Sequence, residues 1–101
     1  MSVIVVGHFP VADVGAAKRA LASQAALLDE ITEDARKLGA RHHRFMEGDG
    51  EILVLDEWDS AEAFSGFFDG NAKVRRVTDA AGVQGPPRVE MFSPVETAGT
   101  F

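Results

Sequence analysis

Two short runs in this chain of 101 residues, VIVV at Val3–Val6 and ILVL at Ile52–Leu55, are apolar on both faces that a strand presents. Successive side chains of a strand point to opposite sides of its sheet, so a strand with one wet face alternates apolar and polar residues. These two do not alternate, and the sheet that contains them needs cover on both sides. The first run belongs to a β-branched segment, Val3 to Phe9, that reads as a strand closed by Pro10. From about Asp13 to Leu38 follows an alanine-rich segment in which Ala17, Leu21, Ala25, Leu28, Ile31, Ala35 and Leu38 recur three or four apart. That spacing predicts one long amphipathic helix. Arg36 and Lys37 suit its negative C-terminal end, and Gly39 suits a left-handed cap.

Ala40–Glu47 and Glu51–Trp58 flank Gly48-Asp49-Gly50, which predicts a hairpin. Asp59 or Ser60 caps the next helix, with Glu62 reaching back if Asp59 is the cap. Phe64, Phe67 and Phe68 share one inward face of that helix. Gly70 and Asn71 interrupt it, and a further helical stretch from Ala72 to Ala81 turns Val74, Val77 and Ala81 inward. GVQGPP is a loop and Arg88–Val95 the last strand, so residues 1–96 read as one domain. Residues 97–101 are a C-terminal tail whose Phe101 is free to dock on a partner. The order β-α-β-β-α-β predicts an α+β, ferredoxin-like fold: a four-stranded antiparallel sheet with helices on one face. Helices cover only one side, and a second copy of the same sheet is the simplest cover for the other. A homodimer, sheet facing sheet, is expected.

Charge and cysteine content narrow the partners. The formal net charge is −6, with 10 basic residues against 16 acidic ones and no long basic run, which disfavours nucleic acid and anionic membrane surfaces. The absence of cysteine excludes disulfides, thiolate metal sites and a cysteine nucleophile. The apolar start is too short for a signal peptide and no stretch is long enough to span a bilayer, so the cytoplasm is the expected location.

The run DEWDSAEAFSGFF, Asp56 to Phe68, carries a Trp-x-Ser-x-x-Ala-Phe pattern that resembles the signature of the dimeric α/β-barrel superfamily. The branch it is most similar to is the antibiotic-biosynthesis-monooxygenase-like group. The proline after the first strand, the long first helix ending in Gly39 and the GDG hairpin resemble that group too, so the similarity spans Val3 to Val95. The resemblance implies two sheets closed into a dimeric barrel. For activity it implies cofactor-independent oxygenation of aromatic polyketides, haem degradation, isomerisation or no reaction at all. In the haem-degrading branch a tryptophan and a haem-ligating histidine stand where this chain has Phe67 and Arg76, and an asparagine stands in the first strand, where this chain has none. The polar set of the polyketide oxygenases includes tyrosine, which this chain lacks entirely.

His42 and His43 lie side by side in RHHRF, Arg41–Phe45, and account for two of only three histidines. On a strand they point to opposite faces and cannot hold one metal ion together. His8, on the first strand, is about 9–10 Å away laterally and towards the other end of the sheet, so no three-histidine metal site is expected. A three-residue hairpin loop puts His42 opposite Asp56, and a two-residue loop puts His43 there. Either gives one imidazole a cross-strand carboxylate: a general base held by Asp56, or a polar pair that stitches the hairpin. His43 shares a face with Phe45 and is the favoured base. Trp58, Phe64 and Phe67 form either plain core or the walls of an apolar pocket between helices and sheet. Arg75 has Asp79 four residues on as a surface partner, which leaves Arg76 to stabilise a developing negative charge.

Three functions therefore stand side by side. The first is a cofactor-independent monooxygenase of a small, flat, hydrophobic aromatic substrate, with His43 or His42 as base, Arg76 as charge stabiliser, and Trp58 and Phe67 as walls. The second is a non-catalytic dimer that binds a small hydrophobic ligand in the same pocket. The third is a haem-binding dimer using His8 or a strand histidine.

Overall fold

In the computed structural model, which describes residues 2–101, the β-branched first segment forms β1 (Val3–Pro10) and stands inside a four-stranded antiparallel sheet. Stiff, branched side chains favour the pleated backbone there. The remaining elements are α1 (Val14–Ser23), α2 (Ala25–Leu38), β2 (Ala40–Gly48), β3 (Glu51–Trp58), α3 (Ala61–Phe68), α4 (Ala72–Ala80) and β4 (Arg88–Phe92). The strand order is β2-β3-β1-β4, the ferredoxin-like arrangement expected from the sequence.

Alternation sorts the two inner strands into faces. Val5 and Phe9 of β1 and Ile52 and Trp58 of β3 are buried under the helices. Val5 and Trp58 pack with Phe64 and Phe67 of α3 in one cluster, while Phe9 and Ile52 pack with Val11 and Ala17 in another. Burying each large apolar side chain contributes roughly 1.5–3 kcal/mol. Trp58 anchors the first cluster, completely buried, with its ring edge-on to Phe64 at 5.7 Å between centroids.

The predicted long helix is two helices. The chain breaks at Gln24, with φ −102° and ψ 24°, between α1 and α2. A straight helix over the 26 residues from Asp13 to Leu38 runs roughly 39 Å. The eight-residue strand β1 beneath it runs only about 26 Å. The break lets α1 follow Phe9 and Ile52 while α2 covers Val5 and Trp58. It also turns Ala25 and Leu38 outward, against the predicted stripe.

Local caps follow the polar residues. Asp13 accepts from the Ala16 amide at 3.0 Å, and Ser60, rather than Asp59, accepts from Ala63 at 3.1 Å. Asn71 accepts from the amides of Lys73 and Val74 at 3.0 and 3.1 Å, so the Gly70-Asn71 interruption is the start of a new helix. β4 ends at Phe92, three residues short of the predicted Val95, because Ser93-Pro94 follows and proline cannot donate to a ladder.

The sheet face away from the helices carries Ile4 and Val6 of β1, Leu53 and Leu55 of β3, Met46 of β2 and Phe92 of β4. None belongs to either core cluster, and Met46 and Phe92 are exposed. At its hairpin end, His8 lies between Glu51 and Glu90, at 2.9 and 2.7 Å. Among the described residues, no helix is long and apolar enough to cross a membrane.

Candidate functional site

The hairpin joining β2 and β3 decides which histidine meets Asp56. Its loop is the two residues Asp49-Gly50, with Gly48 opposite Glu51 and Gly50 at φ 70°. A positive φ at the second loop position is the conformation glycine adopts without strain. The register that follows puts His43 opposite Asp56, and His42 opposite Glu57 on the other face.

Asp56 is buried, and its carboxylate accepts two hydrogen bonds. His43 donates from Nδ1 to Oδ1 at 2.6 Å, and Trp58 donates from Nε1 to Oδ2 at 3.2 Å. A carboxylate only accepts, so Nδ1 is the donor in this contact, and Nε2 is the ring nitrogen left without a partner among the described residues. Phe45 meets the His43 ring edge-on, at 4.9 Å between centroids and an interplanar angle of 83°. The side chain is thus held on two sides, by a charge-assisted hydrogen bond and by an aromatic ring. It is still 39% exposed, on the edge strand.

That exposure opens onto a cavity of about 380 Å³ between helices and sheet. Its walls are mainly apolar, including Val5, Val54, Trp58, Phe64, Phe67 and Ile31. Phe64 and Phe67 are therefore both core and wall, and they do not fill the space. Gly7 is part of the lining, and a Cβ there would lie 2.9 Å from Phe9 Cε2, so the ring folds over this strand only because the residue is glycine. A volume above about 300 Å³ with few polar groups is the range in which small molecules bind.

The residues singled out in the sequence separate into three places. His43, Asp56, Trp58, Phe64 and Phe67 come together on the cavity wall, with His42 at its border. His8 projects from the opposite sheet face into its own pair of glutamates. Arg76 is exposed on α4 and is not part of the lining. Arg75 makes no ion pair with Asp79 among the described residues.

Two charged lining residues were missed: Arg36 in the last turn of α2, and Arg41. Arg36 follows Ile31, Thr32 and Ala35 along the same helical face, a spacing that was legible but was explained as helix-end charge. Arg41 was not legible. It is the extra residue of a bulge between Ala40 and His42, which resets the alternation so that Ala40 and His43 both face the helices. Arg41 then pairs through Nε with Asp59 Oδ1.

No protein-family model matches the chain, and no curated protein matches it. Solved structures do. A monooxygenase from the gene ActVA-Orf6 of Streptomyces coelicolor, solved with nanaomycin D, superposes with a TM-score of 0.72 at 17% identity, covering 99% of this chain and 93% of that one. SnoaB, a cofactor-independent oxygenase from Streptomyces nogalater, gives 0.64 at 17% identity over 98% of both chains. A dimeric ferredoxin-like protein from an uncultured marine organism gives 0.64 at 12% identity, covering 96% of this chain and 93% of that one. The chain shares the ferredoxin-like α+β fold of antibiotic-biosynthesis-monooxygenase-like proteins.

Proposed function

We propose that this protein is a cofactor-independent monooxygenase of a small, flat, hydrophobic aromatic substrate of the anthrone type. The observation that carries the reading is an imidazole oriented by a buried carboxylate at the wall of an apolar cavity, its Nε2 without a hydrogen-bond partner among the described residues. The fold shared with oxygenases, SnoaB among them, supports the reaction class.

In such a reaction the substrate supplies the electrons. Nε2 of His43 takes a proton from the methylene carbon between the aromatic rings, leaving a carbanion delocalised onto the ring oxygen. That carbon gives electrons to dioxygen and forms a C–O bond. The peroxide takes a proton back from His43; its O–O bond then breaks as the carbon gives up its second hydrogen, and the outer oxygen leaves as water. One oxygen atom ends in the new carbonyl and the other in water, so the balance closes without a further co-reactant. Asp56 is a positioning residue: it fixes the imidazole and offsets the positive charge of the imidazolium. Phe45, Phe64 and Phe67 keep the wall dry, which strengthens the attraction between imidazolium and carbanion.

The proposal includes assembly as a cytoplasmic homodimer through the open sheet face. The exposed apolar residues there support it, as does the fold shared with a protein described as dimeric.

Oxygen uptake with an anthrone tests the reading. His43→Ala is expected to lower the rate by about a hundredfold or more, the usual contribution of a positioned base. Wild-type uptake no faster than the spontaneous reaction overturns the proposal, as does full activity in His43→Ala. A Soret band in the purified protein would move the assignment to haem binding.

A further inference from the structure

The protein carries a net charge of −6, yet the cavity wall inverts that sign. Besides histidines, its ionisable lining is Arg36, Arg41 and one carboxylate, Asp56. Asp56 is occupied by His43 and Trp58, and Arg41 is paired with Asp59. Arg36 forms no ion pair among the described residues. A favourable helix end explains the charge of Arg36 but not its direction. Lys37 occupies the same last turn of α2 with the same benefit and does not line the cavity.

We infer that Arg36 is the specificity-determining residue of this cavity and that the preferred substrate is a carboxylate-bearing aromatic. The inference rests on the reading above, that the cavity takes a flat aromatic molecule, and adds the charged group the molecule carries. A guanidinium fork matches a carboxylate with two parallel N–H···O bonds, which a neutral amide or ester cannot equal. Arg36 is exposed, so the bound carboxylate sits at the mouth and keeps part of its hydration. The ring system enters the apolar interior beside Trp58, where burial is favourable and no charge has to be desolvated.

Trp58 is the only tryptophan of the chain and lies on the cavity wall, so its fluorescence reports occupancy. The probes are anthraquinone-2-carboxylate and anthraquinone-2-carboxamide, titrated at neutral pH and low salt. The carboxylate is expected to bind about tenfold more tightly than the carboxamide, the usual gain from a hydrogen bond between charged groups. In Arg36→Gln the preference falls to within about twofold while carboxamide affinity stays the same, and in Lys37→Gln the preference survives, because a more distant exposed charge contributes little. Equal wild-type affinities overturn the inference, as does a preference that survives Arg36→Gln. A Lys37→Gln effect as large as that of Arg36→Gln also overturns it, because the cause is then the general field. In each of those outcomes the carboxamide still binds and the aromatic-cavity reading stands. If neither probe quenches Trp58, both fall.

Discussion

Asp56 is the residue on which the site turns, because its two oxygens serve two different purposes. Oδ1 orients His43, and Oδ2 accepts from the buried indole of Trp58. Asp56→Asn replaces one acceptor with a donor and removes the charge that steadies the imidazolium. Oxygen uptake is expected to fall about a hundredfold, because the imidazole has lost the partner that orients it. Trp58→Phe keeps the ring but leaves Oδ2 without its donor. Urea unfolding should show a loss of about 1–3 kcal/mol, the penalty of an unmet buried polar group. Arg76→Ala tests the charge stabiliser expected from the sequence. Its exposed position off the cavity wall predicts uptake within about twofold of wild type.

Gly39 joins the element that roofs the cavity to the strand that carries His43. Its φ of 120° lies where side chains are strained, and a Cβ there would meet Asp59 Oδ2 at 3.2 Å. Gly39→Ala is expected to destabilise by about 1–3 kcal/mol, read as a lower urea midpoint. Lys73 ties α4 to α2, reaching Asp34 at 2.8 Å and Glu30 at 3.5 Å. The hydrogen bond to Asp34 is the main cause that holds its ammonium above the ordinary value of 10.5, against a smaller opposing effect of burial. The folded state therefore grips this proton more tightly than the unfolded chain. The contribution is fully present below 10.5 and is lost as pH rises through the higher folded value. The thermal midpoint of Lys73→Gln should lie below that of wild type at neutral pH, and the gap should close in strongly alkaline buffer. A gap that persists there would show that the pair adds nothing.

The open sheet face belongs to the whole molecule. Leu53 and Leu55 point away from the helices, so a charge there leaves both core clusters intact. If the protein dimerises through this face, Leu55→Glu should sediment as a monomer with unchanged circular dichroism, since burying an unpaired carboxylate between sheets is prohibitive. A wild-type protein that sediments as a monomer at micromolar concentration would overturn the proposed assembly.

Much of this was legible in the residues because it depends on neighbours along the chain. The doubly apolar strands, the GDG turn, a cap at Asp59 or Ser60 and the phenylalanines of α3 follow from local sterics and spacing. They were enough for the sheet order and for the existence of an apolar face under α3. The break at Gln24 was not legible, because no proline or glycine marks it; it arises from the mismatch between helix length and strand length. The choice between His42 and His43 was narrowed to two hairpin registers, and His43 was favoured only for sharing a face with Phe45, since a one-residue shift changes nothing in local propensity. The bulge at Arg41, the empty space beside Phe64 and Phe67 and the direction of Arg36 come from how α2 rests on the sheet. Those are contacts between residues distant in sequence, and no pattern along a single chain encodes their distances.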